Sequence, residues 1–211
     1  MDEIRAHLPE EPNTFVGRER ELVELHQLLY RTRALTLCGP GGIGKTRLAL
    51  RVLHTVAGTF PDGGCFADLG DLGQPDLVVS QVASAMGVGE EPGRPLLDTL
   101  ADAVASRRLL LVLDNCEHLI DACAAVCQRL LDASPGLSLV ATSREPLRVA
   151  AETVWQVPPL SVGPAELDGA EDANRYEAIR LFADRAAASL PGFTIGPANV
   201  GAAASAPVRD A

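Results

Sequence analysis

The sequence predicts an α/β fold in which a parallel sheet of about five strands carries helices on both faces. Three observations predict it. Short apolar runs alternate with stretches of helical periodicity through about residue 160. One run, residues 109–113, is wholly aliphatic, as a strand buried on both faces must be. A glycine-rich octapeptide stands between an apolar run and a helical stretch, at what would be the carboxyl end of a strand.

The elements follow in order. Leu22, Leu25, Leu28 and Leu29 recur at helical spacing and predict a helix over 19–30. Residues 34–38 read as a buried strand, and the RLALRVLHTVA stretch beyond the glycine loop reads as a helix. A second strand is expected at 63–68, then a helix over 76–86 that Gly87 terminates. Pro95 suits the first turn of another helix, with Leu96, Leu97, Leu100 and Val104 on one side. The aliphatic strand ends at Asp114, and a helix over 119–133 follows, broken by Ser134, Pro135 and Gly136. Residues 137–141 form a strand ending in Thr142, Ser143 and Arg144, and residues 153–157 form a fifth, stopped by Pro158 and Pro159. After a loop-rich stretch, a helix over 174–188 places Ile179, Phe182 and Ala186 on one face. The organisation expected is an N-terminal tail (1–13), a main α/β domain (14–160), the start of a helical subdomain (161–190), and a small-residue-rich, disordered tail (191–211).

Composition sets limits on function. The 211 residues, 47% hydrophobic and 22% charged, suit one core with a smaller appendage. No apolar run approaches the roughly 20 residues that span a bilayer, and the acidic N-terminus lacks a signal peptide's apolar stretch, so a cytoplasmic chain with no membrane partner is expected. A formal charge of -10 argues against direct nucleic-acid binding by this segment. Cys38, Cys65, Cys116, Cys123 and Cys127 read as small buried apolar residues; a zinc site at Cys116, Cys123, Cys127 and His118 is the less favoured reading.

The glycine loop carries the chemistry. GPGGIGKT, residues 39–46, matches the G-x-x-x-x-G-K-[ST] pattern of a P-loop, in the strand–loop–helix setting that gives the pattern its specificity. Gly39, Gly41, Gly42, Ile43 and Gly44 would wrap backbone N–H groups around phosphates, aided by the positive end of the following helix. Lys45 would reach the terminal phosphates, and the Thr46 hydroxyl would bind magnesium. Asp114, at the end of LLLVLDN, would hold the same ion. The ligands expected are therefore ATP or ADP with Mg2+. Asn115 cannot act as a carboxylate base, which leaves Glu117 as the nearest acidic candidate for activating water; an exposed first-turn helix carboxylate is the alternative reading. Arg144 is a candidate sensor of the terminal phosphate, against a solvated loop arginine.

With these parts in order, the chain resembles the NB-ARC type of STAND nucleotide-dependent switch ATPases. The likeness is to the nucleotide-binding segment of large bacterial transcriptional regulators, LuxR-like or SARP-like. It covers about residues 13–193 and rests on NTFVGRERELVEL, GPGGIGKTRLAL, LLLVLDNCEHL, ATSREPL, VWQVPPL and AIRLFADRA. The resemblance implies that Val16, Gly17 and Arg18 lie on the base side of the nucleotide. It also implies a switch from an ADP-bound closed state to an ATP-bound open state, with slow hydrolysis possible, in which the open state self-associates or releases an effector domain and the partners are other protein chains or further copies of this one. Relative to that family the chain is expected to be C-terminally truncated. The alternatives are a competent P-loop ATPase or kinase, and a remnant acting only through protein interactions.

Overall fold

The computed structural model describes residues 8–163, 174–196 and 199. Its centre is a five-stranded, all-parallel sheet in the order β2-β3-β4-β1-β5. The strands are β1 (Ala34–Cys38), β2 (Gly64–Asp68), β3 (Leu110–Asp114), β4 (Ser138–Ser143) and β5 (Glu152–Gln156). The helices are α1 (Glu19–Leu29), α2 (Lys45–Val56), α3 (Leu77–Met86), α4 (Leu96–Val104), α5 (Ile120–Ala133) and α6 (Glu177–Ser189).

Alternation along the strands divides the core in two. Leu111 and Leu113 of β3, with Leu139 and Ala141 of β4, pack against α3, α4 and α5 through Val82, Leu100, Cys127 and Leu130. Leu110 and Val112, with Val140 and the β1 residues Leu35 and Leu37, face α1 and α2 through Leu25, Leu48, Val52 and Leu53. Side chains on a strand alternate between faces, so an unbroken aliphatic run feeds both layers at once. All five cysteines are buried, and Cys65, Cys116, Cys123 and Cys127 belong to the first core layer. His118 turns outward, its Nε2 2.8 Å from the Leu72 carbonyl.

Several boundaries differ from the sequence expectation, and backbone pairing or a polar contact accounts for three of them. β4 runs past the apolar stretch through Thr142 and Ser143, because the two pair in parallel register with Leu37 and Cys38 of β1; the Thr142 hydroxyl donates to Asp114 from there. Asp114 is itself the last residue of β3 and pairs in register with Asp68 of β2. Pro95 precedes α4 instead of sitting in its first turn, and its carbonyl accepts from Asp98 N and Thr99 N. α6 starts three residues later than the helix expected at 174, since the Glu177 N–H is held by Ser161 Oγ at 3.0 Å. The tail expected at 191–211 and much of the loop before α6 lie outside the described residues.

Candidate nucleotide site

The carboxyl ends of β1, β3 and β4 converge on one cleft. Residues 39–44 leave β1, turn with positive φ at Gly42 (74°) and Gly44 (93°), and deliver the chain into α2 at Lys45. A side chain at either glycine would strain that turn. The first-turn N–H groups of α2, which have no partner within the helix, therefore open onto the loop.

Lys45 is only 7% exposed. Its ammonium donates to the Gly39 carbonyl at 3.0 Å and the Pro40 carbonyl at 3.2 Å. Among the described residues no carboxylate lies within ion-pair distance of it. A buried cation held only by carbonyl dipoles favours an anionic neighbour.

Thr46 Oγ1 lies 2.9 Å from both oxygens of Asp114. Asp114 is 1% exposed. It also accepts from the Thr142 hydroxyl and, at 3.1 Å, from Asn115 Nδ2. Burial pushes its carboxyl above the ordinary aspartate value; the hydroxyls of Thr142 and Thr46 work against this, and the charges of Asp68 and Glu117 add to it. Hydroxyl and carboxylate oxygens side by side are the donor set that a hard cation such as magnesium takes.

Arg144 follows β4 and is 67% exposed, and its Nε donates to Glu117 Oε1 at 3.1 Å. A Cβ added to Gly41 would meet the Arg144 guanidinium at 3.5 Å, so this cation overhangs the glycine loop. Glu117 Oε2 is buried without a hydrogen-bond partner. Lys45, Thr46, Asn115, Glu117 and Arg144, together with Gly41, Gly42 and Gly44, line a cleft of about 310 Å³.

The Val16–Gly17–Arg18 segment approaches the same loop from behind. Arg18 is 1% exposed, and its guanidinium donates to the Ile43 carbonyl at 2.7 Å and the Pro158 carbonyl at 2.9 Å. It faces the interior, as a brace between the glycine loop and the exit of β5, and only Val16 of the three keeps partial exposure. Arg18 N donates to Glu177 of α6 at 2.6 Å. Burial pushes the Glu177 carboxyl up, but bonds from Arg18 N and from the Ser161 N–H and hydroxyl, with the Arg18 charge, bring it below the ordinary glutamate value.

Sequence reasoning missed two further residues. Arg47 is buried, and its NH2 donates to the carbonyls of Asn13 and Thr14. That contact draws the N-terminal segment alongside, so that Pro12 joins the cleft wall. Thr142, buried at the end of β4, ties Asp114 to the Asn115 backbone, whose N–H donates to its Oγ1 at 3.0 Å. A hydroxyl in an otherwise apolar strand beside LLLVLD was the available signal.

The AAA domain family matches residues 28–148 of this chain. The chain belongs to that family. The AAA domain here is a P-loop NTPase fold homologous to parts of transcriptional regulators. It is 46% identical over 178 residues to a provisionally named HTH-type transcriptional regulator of Mycobacterium tuberculosis, covering 84% of this chain and 19% of that protein. It is 31% identical over 157 residues to the regulatory protein AfsR of Streptomyces coelicolor, covering 66% and 15%. The AAA domain therefore spans about a fifth of the length of its first curated relatives. Among solved structures it resembles Cdc6p of Pyrobaculum aerophilum (TM-score 0.55, 14% identity, 87% of this chain and 52% of that one). It also resembles the Aeropyrum pernix ORC2 protein in ADPNP-ADP complexes (TM-score 0.52, 15% identity, 86% and 56%). Both likenesses concern the fold. Among the described residues no helix is long and apolar enough to cross a membrane.

Proposed function

We propose that this domain binds ATP or ADP with magnesium and acts as a cytoplasmic nucleotide-dependent switch of the NB-ARC/STAND kind within a transcriptional regulator. The observation that carries the reading is the buried Lys45 ammonium, held among the described residues by loop carbonyls alone, beside the Thr46–Asp114 pair. Gly39, Gly41, Gly42, Ile43 and Gly44 would wrap the phosphates, and Thr46 and Asp114 would hold the magnesium. When bound, that ion would neutralise charge on the phosphate oxygens. Val16 and Gly17 would border the base, with Arg18 bracing them from within. Residues 14–160 form the nucleotide-binding unit in this reading, and those from 161 onward begin a helical subdomain.

A nucleotide biases a two-state switch only through contacts that differ between its forms. Arg144 would distinguish ATP from ADP in this reading; its overhang of the glycine loop and its pair with Glu117 support that role. Hydrolysis, slow for want of a carboxylate at Asn115, would reset the switch, and the two forms would differ in self-association or in release of an effector domain. The test is the ratio of ATP to ADP affinity in wild type and Arg144→Ala. The reading expects the variant to lose affinity for ATP selectively. An unchanged ratio would remove Arg144 as the sensor.

A further inference from the structure

Residues 144–151 join β4 to β5, and Arg144 opens this loop. Two of its residues, Arg148 (φ 65°) and Ala151 (φ 60°), hold left-handed backbone without being glycine. Such conformations persist only where the surroundings over-determine them. At Arg148 the determining group is a carboxylate from the far end of the loop.

Glu152 is the first residue of β5, opposite Ala34 of β1, and it is half-buried. Its carboxylate accepts three hydrogen bonds. The Thr36 hydroxyl donates to Oε1 at 2.6 Å, Leu147 N to Oε1 at 2.8 Å, and Arg148 N to Oε2 at 2.8 Å. Among the described residues no cation pairs with it. A charge drawn out of water without a counter-ion has to be met by dipoles, and these three donors are neutral. Two belong to the loop. The third, Thr36, is 1% exposed and stands in β1 just ahead of the glycine loop.

These bonds fold the loop back onto the sheet. Leu147 is buried in the core layer of α3, α4 and α5. The Arg148 side chain reaches Glu145 Oε2 at 2.8 Å, while Glu145 N donates to Ser143 Oγ at 3.2 Å. Pro146, with its fixed φ, lies between. Arg144 is therefore bracketed: β4 holds the residue before it, and the Glu152 carboxylate holds the backbone just after it. The bracket sets where its guanidinium overhangs Gly41 and where its Nε meets Glu117.

We propose that Glu152 is the positioning residue of Arg144: its carboxylate clasps the loop to β1 and so holds the guanidinium over the glycine loop, where the terminal phosphate of ATP would lie. The proposal rests on the sensing role given to Arg144 above. Glu152 touches neither nucleotide nor magnesium in this scheme and acts only through the backbone of 147 and 148. Without it, two N–H groups and a buried hydroxyl lose their acceptor, and the left-handed turn at Arg148 loses its support. The loop then relaxes. Ordering it again around the terminal phosphate costs entropy in ATP binding that ADP binding does not incur.

The experiment uses the full chain with magnesium and measures equilibrium affinity for fluorescent ADP and for a fluorescent, non-hydrolysable ATP analogue. The proteins are wild type, Arg144→Ala, Glu152→Ala, Glu152→Gln and the Arg144→Ala/Glu152→Ala double variant. Arg144→Ala is expected to weaken the ATP analogue about ten- to a hundredfold relative to ADP, as loss of hydrogen bonds to a charged group does. Glu152→Ala is expected to weaken it about three- to tenfold, as the ordering of a loop and one long side chain on binding does, with ADP affinity unchanged. Glu152→Gln keeps one carbonyl acceptor for Thr36 and Leu147 and loses the one for Arg148, so it should fall between wild type and Glu152→Ala. In the Arg144→Ala background, Glu152→Ala should add less than about a twofold change. A merely structural role would weaken both nucleotides, with or without Arg144. Wild-type ratios in every folded Glu152 variant, with Arg144→Ala still selective, overturn the proposal and leave the sensing role standing. Full additivity with Arg144→Ala, or equal losses for both nucleotides, overturns it as well. An unchanged ratio in Arg144→Ala overturns the sensing role and the proposal together.

Discussion

Thr142→Val replaces a buried hydroxyl with a methyl of nearly the same shape, so it cuts polar contacts without opening a cavity. Two bonds disappear: the donation to the Asp114 carboxylate and the acceptance from Asn115 N at 3.0 Å. A bond to a charged group contributes about 1.5–3 kcal/mol, and an orphaned buried N–H costs about 1–3 kcal/mol. Thr142 is fully buried, so solvent screening does not dilute either loss, and a destabilisation of about 3 kcal/mol is expected. For a chain of 211 residues that is a fall in Tm of about 6–12 °C. The loss also has a pH signature. The folded Asp114 carboxyl titrates above its ordinary value because burial disfavours its charge, and the Thr142 bond partly offsets that. A raised folded pKa on an acid means that the charged form costs stability above that pKa, and that the cost fades as pH falls through it. Removing the bond enlarges the cost, so the deficit of Thr142→Val should be greatest at neutral pH and shrink toward the unfolded value of about 3.9. Thermal unfolding of both proteins across that range is the assay. A deficit under about 0.5 kcal/mol, in the range of ordinary surface substitutions, or one of constant size at every pH, would refute the reasoning.

Glu177→Gln tests the α6 brace. A depressed folded pKa gives stability that is fully present above the unfolded value and is lost as pH falls through the folded one, so the variant should unfold more readily in urea at neutral pH and match wild type in strong acid. Gly17→Ala should destabilise by about 1–3 kcal/mol, because φ is 74° there and the new Cβ would lie 2.7 Å from Glu177 Oε1; urea midpoints measure it. The cysteines should resist a thiol reagent until the chain unfolds, since all five are buried and burial pushes the Cys65 thiol up to about 11. Rapid modification of the native protein would contradict the core packing.

Local signals carried the fold and the phosphate loop. The aliphatic run at 109–113 announced a strand buried on both faces, and GPGGIGKT between a strand and a helix announced the cleft, because both depend on neighbours in sequence. Contacts between distant segments were not legible. Nothing in VGRE says that Arg18 turns inward to Ile43 and Pro158, or that Glu177, 159 residues away, accepts from its N–H. The Asn115 amide reads from sequence as a missing base; only the register of β2 against β3 places Asp68 where it can fix that amide.

The central claim is that this cleft holds a nucleotide by its phosphates, and a calorimetric titration with ADP and magnesium, comparing wild type and Lys45→Ala, tests it most directly. Saturable binding by wild type that is lost in a folded Lys45→Ala is the predicted result. Equal binding by both proteins, or none by a folded wild type, would contradict it.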